Sequence, residues 1–196
     1  LLFAFSSLCL FLSYRYMDAG IASTLLFVYP VMVAVLMALF YKERLTLFTL
    51  CCIALSLGGV GLLAQGSGGV PLSLAGICLV LLSALLYAVY MIRLDHSAVS
   101  HYPVLKLTFY CLLLGVPVFA CRLLLPGGGL TLPASAFEWA GVVCLSLLPT
   151  VVSLTLMTVA IQHIGPTPAA IIGALEPVTA LFFGVMLFGE QLTPRI

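Results

Sequence analysis

The sequence predicts an all-α fold, a polytopic bundle of transmembrane helices, on three observations. Hydrophobic residues make up 64% of the 196 residues and charged residues only 7%, against roughly a quarter in soluble domains. The apolar runs are continuous rather than alternating with period two, which argues for helices over barrel strands. The connections between the runs are too short to hold a soluble domain.

A helix needs about 20 apolar residues to cross the hydrocarbon core. The runs that qualify are Leu1–Tyr14 (short), Ile21–Tyr41, Leu45–Leu63, Leu72–Ile92, Val104–Leu125, Phe137–Ile161 and Pro168–Phe188, seven in all. Leu1–Tyr14 has no basic flank and no small-residue cleavage site, so it reads as the later part of a spanning helix rather than a signal peptide. The chain is therefore expected to be a fragment of a longer protein. Thr167-Pro168 and Thr193-Pro194 each set a capping hydroxyl before a proline at the first helical position, where no amide donor is lost.

Composition also narrows the function. A formal net charge of +1 with no basic stripe gives no nucleic-acid partner. The seven cysteines are scattered through apolar runs without a C-x-x-C pairing, and read as small packing residues. No H-E-x-x-H, paired aspartates or Ser/His arrangement falls within the spans, so neither an enzyme, a metal site nor a cofactor is expected. Lys42, Arg44, Arg93 and Lys106 fall on one side of the membrane and Arg15, Arg122 and Arg195 on the other, a slight bias towards a cytoplasmic Lys42–Arg44 loop.

The chain repeats itself. Ala22–Thr46 aligns without gaps on Ala169–Thr193 at a constant offset of 147 residues. Ala22 then matches Ala169, Pro30 matches Pro177, Glu43 matches Glu190 and Thr46 matches Thr193. Moving from one copy to the other advances five spans, and an odd number reverses the direction of the chain across the membrane. Inverted repeats of this kind are a common design of secondary transporters. A five-span unit predicts ten helices in full length, of which this chain would hold about seven.

The residues that repeat resemble the EamA family of the drug/metabolite transporter superfamily. In the second copy they read Pro168-Ala169-Ala170, Leu175-Glu176-Pro177-Val178 and Gly189-Glu190-Gln191-Leu192-Thr193. In the first they read Ala22-Ser23, Tyr29-Pro30-Val31 and Lys42-Glu43-Arg44-Leu45-Thr46, with Lys42 where the family often has glycine. The resemblance implies two inverted five-helix units. Residues 1–64 would be the later part of the first, 65–70 a loop, and 71–196 the second. It implies a secondary carrier, an exporter of small metabolites, amino acids or drug-like compounds by alternating access, in the bacterial inner (plasma) membrane. A channel or a non-transport membrane protein is the alternative.

Within this frame a few residues are candidates for the substrate and coupling pathway. Pro30 and Pro177 offer no amide to the carbonyls of Leu26 and Gly173, and in lipid such a carbonyl must find another donor or face a cavity. The helices are either broken along a central pathway or kinked and satisfied by a neighbour. Glu176 is the acidic side chain deep in a span, where a charge costs about 2.5–3.5 kcal/mol. It is either a proton-coupling or substrate-amine site or an acid that locks two helices. Tyr29 holds the matching place in the first copy. Tyr87 and Tyr90 are three residues apart on one helix face and with Ser83 could line a pathway. Glu43, Glu190, Thr46 and Thr193 are expected to cap and lock hairpins or, failing that, to gate. The partners implied are lipid, a small-molecule substrate and protons as coupling ion.

Overall fold

The computed structural model describes residues 1–43, 50–51, 54, 73–97, 100, 102–124, 132–176, 179 and 186. Four stretches among them are long and apolar enough to cross a membrane: Ala19–Tyr41, Leu74–His96, Val104–Leu124 and Ala136–Ile164. A fifth, Leu2–Ser13, is apolar but shorter. Nearly all of the expected run Leu45–Leu63, the loop at 65–70, the later part of Pro168–Phe188 and the helix start at Thr193-Pro194 lie outside the described residues.

Proline decides which spans are continuous. Leu74–His96 contains none and forms one unbroken helix, α4. Each of the other three is interrupted beside a proline. The first divides into α2 (Ala19–Leu26) and α3 (Tyr29–Tyr41). At the joint, Phe27 N donates to Thr24 O and Val28 N to Leu25 O, one residue short of the α spacing. Pro30 therefore sits in the first turn of α3 rather than inside a helix, and its absent amide costs nothing there. The third span divides in the same way at Leu114–Gly115 into α5 (Val104–Leu113) and α6 (Val116–Leu124), with Pro117 in the first turn of α6. In the fourth, α7 (Ala136–Leu145) widens into a π-helical segment, Ser146–Val152, around Pro149 before α8 (Ser153–Ile164) resumes. A wider turn is a common way to absorb a residue that breaks the α ladder.

Local chemistry sets the remaining ends. Helix α1 (Leu2–Ser13) leads into a tight hairpin whose Asp18 accepts the Gly20 amide at 2.8 Å, capping α2. Ser135 and Glu138 form a reciprocal cap on α7: Ser135 Oγ accepts the Glu138 amide and Glu138 Oε2 accepts the Ala134 amide. Helix α9 (Pro166–Gly173) begins two residues earlier than Thr167-Pro168 suggests, with Gly165 as its N-cap at φ 83°. Thr167 is not the cap, because its hydroxyl is used elsewhere in the fold. Lys42 ends α3 in the left-handed region, φ 55° and ψ 30°, the conformation that favours glycine at a helix C-terminus.

Helix α4 is the hub, touching α1, α2, α3, α8 and α9. Small residues let its neighbours close in, as expected where helices associate in lipid. A Cβ at Gly76 would lie 2.7 Å from Met17 Cε and 3.0 Å from Tyr16 Cβ. One turn-pair further on, Ser6 Oγ donates to Ser83 O at 2.9 Å and Ser83 Oγ donates to Ser6 O at 2.8 Å. This buried, reciprocal clamp holds α1 against α4. The main core joins Tyr29, Val33 and Met37 of α3 to Ala84, Ala88 and Met91 of α4, Ile161 of α8, and Ala169 and Ala170 of α9. Large apolar side chains such as Leu105, Phe109, Leu124, Phe137 and Leu148 stay exposed, a surface suited to lipid or to further helices rather than to water. The chain is an all-α, multi-pass integral membrane bundle.

Candidate functional site

The two interruptions that follow the repeat occupy equivalent places. Helix α2 spans Ala19–Leu26 and α9 spans Pro166–Gly173, so both ends match at the offset of 147 residues. The turn Phe27–Val28 corresponds to Ala174–Leu175, also a turn. Residue 29 follows the first turn and residue 176 the second, so Tyr29 and Glu176 are counterparts.

The two interruptions approach each other. Tyr29 is 4% exposed, and its hydroxyl lies so close over Gly173 that a Cβ there would collide with it. This is a place where only glycine fits the approach. Fourteen residues along α3, Glu43 Oε2 accepts a hydrogen bond from Thr167 Oγ1 at 2.9 Å. Tyr29 thus faces the end of α9 and Glu43 its beginning, so α3 and α9 run in opposite senses.

Around Tyr29 the aromatic rings form a connected group. Its ring meets that of Tyr87 edge-on, centroids 5.0 Å apart at 82°. Tyr87 stacks on Tyr90 at 5.9 Å, and Phe3 lies 5.7 Å from Tyr90. Glu176, expected deep in a span, directly follows the second turn and is exposed. The side chains of Thr158 and Cys111 stand beside Tyr90. Thr158 and Thr155 donate back to their own helix, to Leu154 O and Val151 O. The group offers what a small organic solute needs: aromatic faces and phenolic hydroxyls. Aromatic faces suit a cationic or amine-bearing group.

The residues singled out from sequence thus fall into three sets. Tyr29, Pro30, Tyr87 and Tyr90 lie together beside the first interruption, and Glu176 follows the second. Ser83, one turn from Tyr87, has its hydroxyl engaged with Ser6. Glu43 accepts a hydrogen bond from Thr167 across the bundle, and the helix start it is expected to cap lies outside the described residues. Pro177, Glu190, Thr46 and Thr193 lie outside the described residues. Sequence reading did not find Phe3, Cys111 or the closeness of Tyr29 to Gly173. The offset did hold one usable signal, because it sets Tyr29 opposite Glu176. Among the described residues, no three His, Cys, Asp or Glu side chains gather where they could hold a metal ion.

Comparison with known proteins agrees with this architecture. The chain is 29% identical over 190 residues to the uncharacterized transporter YdfC of Bacillus subtilis (strain 168), covering 96% of this chain and 61% of that protein. It is 30% identical over 176 residues to an uncharacterized transporter of Archaeoglobus fulgidus, covering 90% and 61%. The chain thus spans about three fifths of the length of these relatives. A solved crystal structure of a protein with 16% identity superposes with a TM-score of 0.78, covering 97% of this chain and 66% of that one, which establishes a shared fold. The model of the EamA-like transporter family matches residues 1–65 and 74–196, nearly the whole sequence, and the chain belongs to that family, a group of membrane transporters within the drug/metabolite transporter superfamily and not of enzymes.

Proposed function

We propose that the full-length protein is a secondary carrier that exports small organic solutes (metabolites, amino acids or drug-like compounds) by alternating access. It is built of two inverted five-helix units, with residues 1–64 in the first and 71–196 in the second. The observation that carries this reading is the approach of two matching helix interruptions, where Tyr29 lies over Gly173. Broken helices of this kind place polar backbone and ionisable groups at a solute site within the membrane. The opposed directions of α3 and α9 support inversion. Glu176 is assigned the coupling role, exchanging a proton for the solute, with Pro30 and Pro177 keeping the helices open beside it. The proposed location is the bacterial inner membrane.

The test is flux in proteoliposomes of the full-length protein, loaded with a panel of labelled amino acids and amines, with an internal pH dye. The reading expects saturable efflux of at least one solute together with proton movement. Glu176→Gln, at equal abundance, should lose the proton signal and the pH dependence of efflux. A Glu176→Gln protein with wild-type rate and pH profile overturns the coupling role. Flux that never saturates makes the protein a channel.

A further inference from the structure

Between α1, the α5–α6 span and the π-helical segment lies a cavity of about 1040 Å3. Helix α1 and the α5–α6 span run side by side in the same sense. A Cβ at Gly115 would lie 3.5 Å from Ala4 Cβ, and further along the rings of Phe11 and Phe119 meet at 6.2 Å. Following that register, Phe3 and Cys111 line one end of the cavity, next to Tyr90, and Arg15 and Arg122 line the other. Most of the wall between them is apolar.

Arg122 is the telling residue. Its Nη1 is buried and has no hydrogen-bond partner, alone in this among the described side chains. Guanidinium is always charged and presents its donors as a fork suited to carboxylate or phosphate. An arginine near a helix end usually snorkels, carrying its head out to water, but this nitrogen turns inward. The residue as a whole is half-buried, but a buried donor left without a partner costs about 1–3 kcal/mol. The acids on the same side of the bundle do not answer it: Asp18 caps α2 and Glu138 caps α7. Arg15 also lines the cavity, already engaged in an interaction of its own.

We propose that this cavity binds an amphiphilic organic anion. Its carboxylate or phosphate sits on Arg122, and its apolar body lies along Phe11, Phe119 and Phe3 towards Tyr90. The binding chemistry is that of a carboxylic acid or a phosphate ester bearing a hydrocarbon chain, supplied either by a soluble acid or by a membrane phospholipid. Binding here does not depend on transport, so its failure and the failure of the carrier reading are separately visible.

The experiment uses full-length protein in neutral detergent micelles, with two probe pairs. Equilibrium dialysis compares labelled octanoate with octanol, and native mass spectrometry compares retained phosphatidylglycerol with phosphatidylcholine. Preference for octanoate identifies a soluble acid, and preference for phosphatidylglycerol identifies a lipid; either upholds the proposal if Arg122→Gln weakens it by about tenfold or more. Arg122→Lys should lose less, since it keeps the charge without the fork. No preference for either anionic probe overturns the proposal, as does an Arg122→Gln protein that binds like wild type. Should Arg122→Gln not fold, Arg122→Lys decides: weaker binding of the preferred anion upholds the proposal and unchanged binding overturns it.

Discussion

Replacing Gly173 by alanine builds a methyl group into space that the Tyr29 hydroxyl occupies. Tyr29 cannot step aside freely, since its ring is 4% exposed and braced edge-on by Tyr87 at 5.0 Å. The Met157 Cε, 3.3 Å from the new carbon, is the end of a flexible side chain and yields more easily. Overpacking a close contact costs about 1–3 kcal/mol. Alanine recovers part of that through its helix preference, up to about 1 kcal/mol, but less here because Gly173 is the last residue of α9. A net loss of about 1–2 kcal/mol is expected. In a Tyr29→Phe background the clashing oxygen is gone, and the nearest ring atom is Cζ at 3.7 Å, an ordinary contact. The same Gly173→Ala change should then be nearly neutral, giving a coupling of about 1–2 kcal/mol. Reversible unfolding of the four full-length proteins in mixed micelles measures it. Equal costs in both backgrounds would refute the close approach of the two interruptions.

Two further outcomes concern how the bundle holds together. Ser83→Ala removes one donor of the clamp with Ser6 and should cost about 0.6–2 kcal/mol. Adding Ser6→Ala should cost less than its effect alone, whereas additive losses in the same unfolding assay would mean that the pair is not coupled. Lys42→Gly relieves a left-handed residue at the end of α3 and should stabilise the protein by about 1 kcal/mol. A destabilised Lys42→Gly protein would show that the Lys42 side chain contributes more than its backbone strain removes.

What was legible in the sequence follows from the kind of signal involved. The spans could be read because lipid demands long apolar runs, and the interruption beside Pro30 because proline cannot donate to the helix ladder. The repeat set Tyr29 opposite Glu176 before any contact was known. Tertiary partners left no such local trace. Thr167 resembles an N-cap, yet its hydroxyl goes to Glu43, 124 residues away in sequence. Ser83 shares a helix face with Tyr87, yet it bonds to Ser6, 77 residues away. Arg122 reads as a charge at the membrane surface, and only the packing of α1 against α6 turns its Nη1 inward. Lys42, where the family often has glycine, becomes intelligible once its φ of 55° is known; its counterpart in the second copy is Gly189.

The account stands on the two copies facing each other in opposite orientations, and side-specific labelling tests that most directly. Single cysteines are placed at Lys42 and, separately, at Gly189 in a cysteine-free full-length protein. Each is then exposed to a membrane-impermeant maleimide in sealed right-side-out and inside-out vesicles. Inverted units predict that the two positions react from opposite sides of the membrane. Labelling of both from the same side would contradict the inversion and the carrier pathway built on it.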